Sequence, residues 1–289
     1  RMKIDKLNLS NPKWKTISKY SQIKNLKNIF KKKVIMKPID SAGSRGVIKY
    51  NNISLISKKD FDSSINFSKR KNLIIENFIE GDEYTVETFS NKENFYILTI
   101  TKKNKIKSKN FSVANELYNP KISNILYNSI YLTLKKIFNS IKYYHGPGHT
   151  EIIINKKNKI FVVEIAGRGP GFDVFDKFIP KVTDIDVPKL TILQYTNNYF
   201  YINSINRSKF GRIKYFETKQ GKIKKTLNIK KINQSNQVFA KNFIKKGAYT
   251  KDPNSDNDRL GYILCLTGNY RSSYIKMKKI IKKNYYEYY

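Results

Sequence analysis

A chain of 289 residues, 39% hydrophobic and 13% aromatic, holds enough apolar material for one large domain or two ordinary ones, which excludes a disordered polymer. No run approaches the roughly 20 apolar residues of a membrane span, and the lysine-rich start lacks the apolar core of a signal peptide. The one cysteine, Cys265, excludes an intrachain disulfide and a multi-cysteine metal site, so the composition predicts a cytoplasmic protein without a membrane partner.

The formal net charge of +35 would suit nucleic acid, but it is mostly lysine, spread along the chain beside an excess of Asn, Ile and Tyr. Adenine- and thymine-rich codons give that composition, and arginine is the usual bidentate reader of bases and phosphates, so no nucleic-acid partner is expected.

In chain order, residues 33–37 (KVIMK) read as a short buried strand, 38–46 as a glycine-containing turn and 47–50 as a second strand. A short helix is predicted over 59–67, then strands at 73–76, 84–89 and 95–101. Residues 102–118 show no clear period and many polar side chains, which predicts a long loop that touches substrate. Asn119-Pro120 has the form of an N-cap followed by proline at the first helical position. Apolar residues from Ile122 to Ile141 at helical spacing extend that helix to about Lys142. Strands at 149–155 and 159–166 follow. Beyond Thr196 come short strands punctuated by Gly211, Gly221, Gly247 and Gly261, and an amphipathic helix over 272–283.

A hairpin turn at Lys157-Asn158 sets Glu151 opposite Glu164 and groups Ile152 and Ile154 with Phe161, Val163 and Ile165. Carboxylates about 5 Å apart repel unless a cation lies between them, and a divalent ion that keeps positions for water and phosphate suits the pair. Another turn register would leave both glutamates solvated. Arg168, in the glycine turn after Glu164, offers a planar fork to a phosphoryl group or a carboxylate, or is a surface arginine. The loop with Gly43, Ser44, Arg45 and Gly46 allows backbone amides to approach phosphate, with Lys37 adding a point charge; glycine-serine hairpins are also common for other reasons. Residues 74–83 (IIENFIEGDE) suit an adenine edge and a ribose, or form a solvated acidic turn. His145 and His149 are separated by Gly146-Pro147-Gly148, which argues against a helical zinc pair.

In order, VIMKP, GSRGV, IIENFIEGDEYTVE, HTEIII and VVEIAGRGPG resemble the ATP-grasp superfamily over residues 34–171, most closely its branch that joins amino acids or related carboxylates to amines. The resemblance implies an α+β fold of two subdomains clasping a nucleotide, residues 1–79 and 80–195, with a small β-rich lobe over 196–289. It implies a ligase that uses ATP and magnesium, or manganese, to make an acyl phosphate from a carboxylate. Carried over, Lys37 meets the phosphates and acts in catalysis, and Gly43, Ser44, Arg45 and Gly46 close over them. Glu76, Asn77, Phe78 and Ile79 form the adenine hinge, and Glu83 binds the ribose. Glu151 and Glu164 hold the metal, and Arg168 faces the acyl phosphate. Ala166 stands where many members have a further asparagine ligand, which loosens a second metal. The stretch 2–12 resembles the segment just after a nucleotide-binding lysine of a preceding Rossmann-like domain, so a separate domain or subunit is expected to supply that part. Bicarbonate phosphorylation, or nucleotide binding without turnover, are the alternatives.

Overall fold

The computed structural model describes residues 1–92, 94–107, 112–196, 201–253 and 258–289, with the side chains of 106, 107, 112 and 113 excepted. After a short helix α1 (Met2–Lys6), an antiparallel sheet forms from β1 (Trp14–Ile17), β2 (Val34–Pro38), β3 (Ile48–Tyr50) and β4 (Leu73–Asn77), in the order β1-β4-β2-β3. Alternation decides which face is buried. Val34 and Met36 of β2 and Leu73 and Ile75 of β4 enter a core with Phe30, Ile53 and Phe61, while Ile35, Lys37, Ile74 and Glu76 take the other face. Phe61 comes from α2 (Lys58–Ile65), whose N-cap Ser57 accepts a hydrogen bond from the Asp60 amide at 3.0 Å.

The chain then enters a large antiparallel sheet with β5 (Asp82–Asn91), β6 (Asn94–Lys107) and β7 (Ser112–Tyr118). The long loop predicted over 102–118 is therefore overturned: most of it is paired strand, and 108–111 lie outside the described residues. Lys103 and Lys105 lie on a polar, site-facing side of β6, which erased the apolar alternation by which a strand is recognised.

Helix α3 (Asn124–Ser140) covers one face of this sheet, setting Ile130, Leu134, Ile137 and Phe138 against Val86, Ile97, Ile152 and Val162. It begins later than predicted. Ser123 is the N-cap, whereas the Asn119 side chain accepts from the Gly211 amide at 2.6 Å and so fastens the segment to the sheet. β8 (His145–Ile154) and β9 (Ile160–Ala166) close one edge.

On the opposite face, the segment from Val174 to α4 (Ile179–Thr183) and α5 (Val187–Tyr195) packs against Phe89, Leu98, Ile213 and Leu264. β10 (Phe210–Glu217), β12 (Val238–Asn242) and β14 (Arg259–Thr267) extend the same sheet, giving the order β12-β14-β10-β7-β6-β5-β8-β9. β11 (Gly221–Lys225), β13 (Tyr249–Thr250) and β15 (Glu287–Tyr288) make a small third sheet. Helices α6 (Ile229–Ile232) and α7 (Tyr270–Lys283) cover a last core around Ile263 and Met277. Among the described residues, no helix is long and apolar enough to cross a membrane.

Candidate active site

The outward face of the small sheet meets the large sheet across a cavity of about 410 Å³. Ile35 and Lys37 on β2 and Glu76 on β4 line one side, and Ile153, Phe161 and Val163 on β8 and β9 line the other. Asn77, Phe78 and Ile79, leaving β4, and Glu83, entering β5, form its rim, with Ser44 and Arg45 of the glycine loop. The sequence-predicted nucleotide set thus converges here, with two exceptions. Gly43 lines a neighbouring cavity. Gly46, at φ +72, is a packing position, where a Cβ would meet Phe67 Cδ2 at 2.9 Å and Pro38 Cγ at 3.0 Å.

Glu76 is 4% exposed and carries the densest ion pairing of this cavity. Its carboxylate accepts two hydrogen bonds from Arg1, at 2.7 and 2.9 Å, and one from Lys37 at 2.6 Å. Burial opposes ionisation of Glu76, and Lys37 and Arg1 overcome it, holding the carboxyl below its usual range. Arg1 also donates to the Val162 carbonyl at 2.6 Å, so one guanidinium ties the small sheet to β9. The backbone amides of Asn77 and Phe78 donate to the carbonyls of Lys13 and Lys33, each at 2.9 Å.

Glu151 and Glu164 stand opposite each other in the β8–β9 ladder, as the sequence predicts, but by a different route. The ladder leaving the turn pairs Ile154 with Ile160 and Ile152 with Val162; Val163 is then skipped, and Glu151 meets Glu164. This bulge corrects the predicted faces. Ile152, Ile154, Ile160 and Val162 face the α3 core, while Phe161, Val163 and Glu164 face the cavity. Without the extra residue, Glu164 would continue the core-facing series of Ile160 and Val162, so the bulge aims the carboxylate at the site.

A second cavity of about 360 Å³ adjoins the first, and Ala42, Arg45, Glu151 and Glu164 line both. Arg168 lines it close to its own turn, donating to the Gly169 carbonyl at 2.9 Å. Behind Glu151 lies a row of charges across three strands. Lys103 on β6 pairs with Glu151, whose Oε1 lies 3.8 Å from His149 Nε2, and His149 Nδ1 lies 2.9 Å from both oxygens of the buried Glu87. Burial alone would lower the His149 pKa, but Glu87 and Glu151 raise it to about 10. Burial likewise works against the Glu151 carboxylate, and Lys103 and His149 hold its pKa well below the usual range.

Arg1, Glu87, Lys103, Lys105, His149, Tyr215 and Arg259 also line these cavities and were not singled out as site residues from the sequence. For Glu87, His149 and Glu151 the signal was present: charged residues at alternate strand positions share a face. His145, on the same strand, is exposed and 3.3 Å from Gln194, so the two histidines form no ligand pair. For Arg259, far along the chain, no local signal exists.

The donor set fits a metal nucleotide. Among the described residues no group of three or more His, Cys, Asp or Glu side chains could hold a metal by itself. Two facing carboxylates beside the glycine loop suit an ion that takes its remaining oxygens from phosphate and water. Gly43, at φ +66, has open space where a Cβ would be, so its backbone is accessible to a ligand.

Known proteins share this fold. The chain is 34% identical over 160 residues to a D-alanine–D-alanine ligase of Buchnera aphidicola subsp. Schizaphis graminum, an alignment covering 52% of this chain and 50% of the relative. The chain thus spans about half the length of that curated relative. The structure of an L-amino acid ligase from Bacillus licheniformis superposes with a TM-score of 0.82 at 18% identity, over 100% of this chain and 71% of that one. The biotin carboxylase domain of the Hydrogenobacter thermophilus 2-oxoglutarate carboxylase, solved with MgADP and bicarbonate, gives 0.80 at 12% identity, over 99% and 65%. At such identities the two structures establish the fold. The sequence model of the ATP-grasp domain matches residues 30–174, just over half the chain and the stretch that supplies most of the lining of both cavities, and the protein is therefore a member of the ATP-grasp family.

Proposed function

We propose that the chain is the nucleotide-binding part of a cytoplasmic ATP-dependent carboxylate–amine ligase working through an acyl phosphate. The observation that carries this reading is the junction of the two cavities at Glu151, Glu164 and Arg45. A nucleotide in the first cavity, its adenine against the Ile79 amide and its ribose at Glu83, directs its terminal phosphate to that junction. An acid in the second cavity approaches from the other side.

The acid's carboxylate oxygen attacks the γ-phosphorus, the bond to the bridging oxygen breaks, and ADP leaves. An amine then attacks the acyl carbon, phosphate departs with the C–O bonding electrons, and the nitrogen gives up a proton. Glu151 and Glu164 would hold magnesium or manganese, which supplies charge neutralisation on the phosphoryl oxygens. Lys37, fixed by Glu76, and Arg168 add fixed positive charge around the transferring group, and the loop around Gly43 and Ser44 excludes water. The amine, and any preceding domain that completes its pocket, belong to the same proposal.

Hydroxylamine tests this, since it captures an acyl phosphate as a hydroxamate whatever the natural amine. Hydroxamate formation that needs both an acid and MgATP is expected, and its loss in Glu164→Gln; wild-type rates in that variant would sink the metal assignment. A bicarbonate substrate, by analogy with the biotin carboxylase domain, predicts bicarbonate-stimulated ATP hydrolysis instead. The size of the second cavity, about 360 Å³, favours a larger acid.

A further inference from the structure

The second cavity contains a cation that phosphoryl transfer leaves without a task. Arg259, at the start of β14, is 7% exposed and comes from a part of the chain beyond the matched domain. Its guanidinium carbon lies 4.1 Å from the ring centroid of Phe172 and 3.9 Å from that of Tyr215, and its Nη2 donates to the Ala114 carbonyl at 2.9 Å. The rings are themselves fixed, because the Tyr215 hydroxyl donates to the Phe172 carbonyl at 3.2 Å.

Phe172 has φ +55 and Asp173 φ +60, two consecutive residues in the left-handed region that side chains disfavour. Strain of this kind persists where surrounding contacts over-determine it, and it clusters at ligand sites. Here it presents one ring to a guanidinium.

The charge balance of the cavity points the same way. Among the described residues that line it, Arg45, Lys103, His149, Arg168 and Arg259 face Glu87, Glu151 and Glu164, five cations to three carboxylates. Outside the lining, Glu217 stands opposite Arg259 across the strand pair. Arg45 lies with Glu151 and Glu164 where the two cavities meet, whereas Arg259 sits against Ala114, Phe172 and Tyr215. A planar fork framed by apolar walls matches a carboxylate at the end of a short aliphatic chain.

We propose that the acid bound in this cavity is a dicarboxylate, one carboxylate lying at the Glu151–Glu164 junction and the other held by Arg259. This rests on the ligase reading for the first carboxylate, and it adds a specificity residue for the second.

The test is calorimetric binding of succinate, glutarate and adipate against butyrate, with the whole chain saturated in MgADP, for wild type, Arg259→Gln and Arg259→Lys. At least one dicarboxylate is expected to bind ten-fold or more tightly than butyrate. Arg259→Gln should erase that preference without changing MgADP affinity, and Arg259→Lys should keep part of it. Equal affinity for mono- and dicarboxylates, no binding of either, or a preference that survives Arg259→Gln would overturn the proposal. Hydroxamate formation separates the parent reading. Hydroxamate from butyrate as readily as from dicarboxylates keeps the ligase and removes the role of Arg259, whereas dicarboxylate binding without hydroxamate keeps Arg259 and removes the ligase. Hydroxylamine carries no carboxylate, so an Arg259→Gln effect seen only when an amino acid is the amine would assign Arg259 to the amine and overturn the proposal.

Discussion

Glu151 and Glu164 face each other across β8 and β9 because Val163 is left out of the ladder between them. One inserted residue turns Glu164 from the core side of the sheet to the cavity side, yet the two carboxylates have different settings. Glu151 is flanked by Lys103 and His149, whereas Glu164 is exposed.

That asymmetry gives a paired prediction. Both Glu151→Gln and Glu164→Gln should abolish the magnesium dependence of ATP-induced thermal stabilisation. Glu151→Gln should also destabilise the unliganded protein by about 3 kcal/mol, since it removes the carboxylate that lies between Lys103 and His149. Glu164→Gln should change stability by no more than about 0.5 kcal/mol. Urea unfolding of the two variants without ligand checks this, and equal costs would contradict the charge row.

Glu76 predicts a separation of roles at the nucleotide end. Glu76→Gln leaves Arg1 and Lys37 against a neutral amide in a buried place and should cost about 3 kcal/mol. Lys37→Met leaves the Arg1 pairing with Glu76 intact and should cost only about 1 kcal/mol. Nucleotide affinity, followed by calorimetry, should fall at least about ten-fold in Lys37→Met, because a phosphate-facing charge is lost.

His149 should remain protonated well above neutral pH. Its pKa is raised from 6.5 to about 10, so its ion pairing stabilises the fold fully below about pH 6.5 and that contribution is lost as pH rises through about 10. The stability difference between wild type and His149→Gln should therefore shrink steadily from pH 7 to pH 10. Imidazole nitrogen shifts measured by NMR should report the imidazolium at pH 8; a neutral ring there would remove the basis of this prediction.

The glycine loop offers a steric comparison. Gly43→Ala meets no atom within 4 Å and should cost about 1 kcal/mol, the backbone strain of φ +66. Gly46→Ala adds contacts under 3.4 Å with Phe67, Pro38 and the Ser64 carbonyl to a similar strain, and should cost at least about 2 kcal/mol. Thermal unfolding of the two variants distinguishes the accessible glycine from the packed one.

Local residue patterns determined a good deal about this protein. Alternation in VIMKP and in residues 74–77 is enough to send Lys37 and Glu76 to the face opposite the core. Ser57 and Asn269 mark the starts of their helices by capping them. The segment order carries the family, because strand, glycine loop, hinge and carboxylate hairpin are each encoded within a few neighbouring residues.

Tertiary structure alone decided the rest. Lys103 and Lys105 are two lysines among many until β6 is paired between β5 and β7 and its polar side faces the cavities. The bulge at Val163 is a compromise between an apolar series that must face α3 and a carboxylate that must not, and a turn-centred register count does not contain it. Arg1 reaches Glu76 across 75 positions, and Arg259 reaches the Ala114 carbonyl across 145. Contacts at such separations are set by how sheets and segments stack, which no local period records.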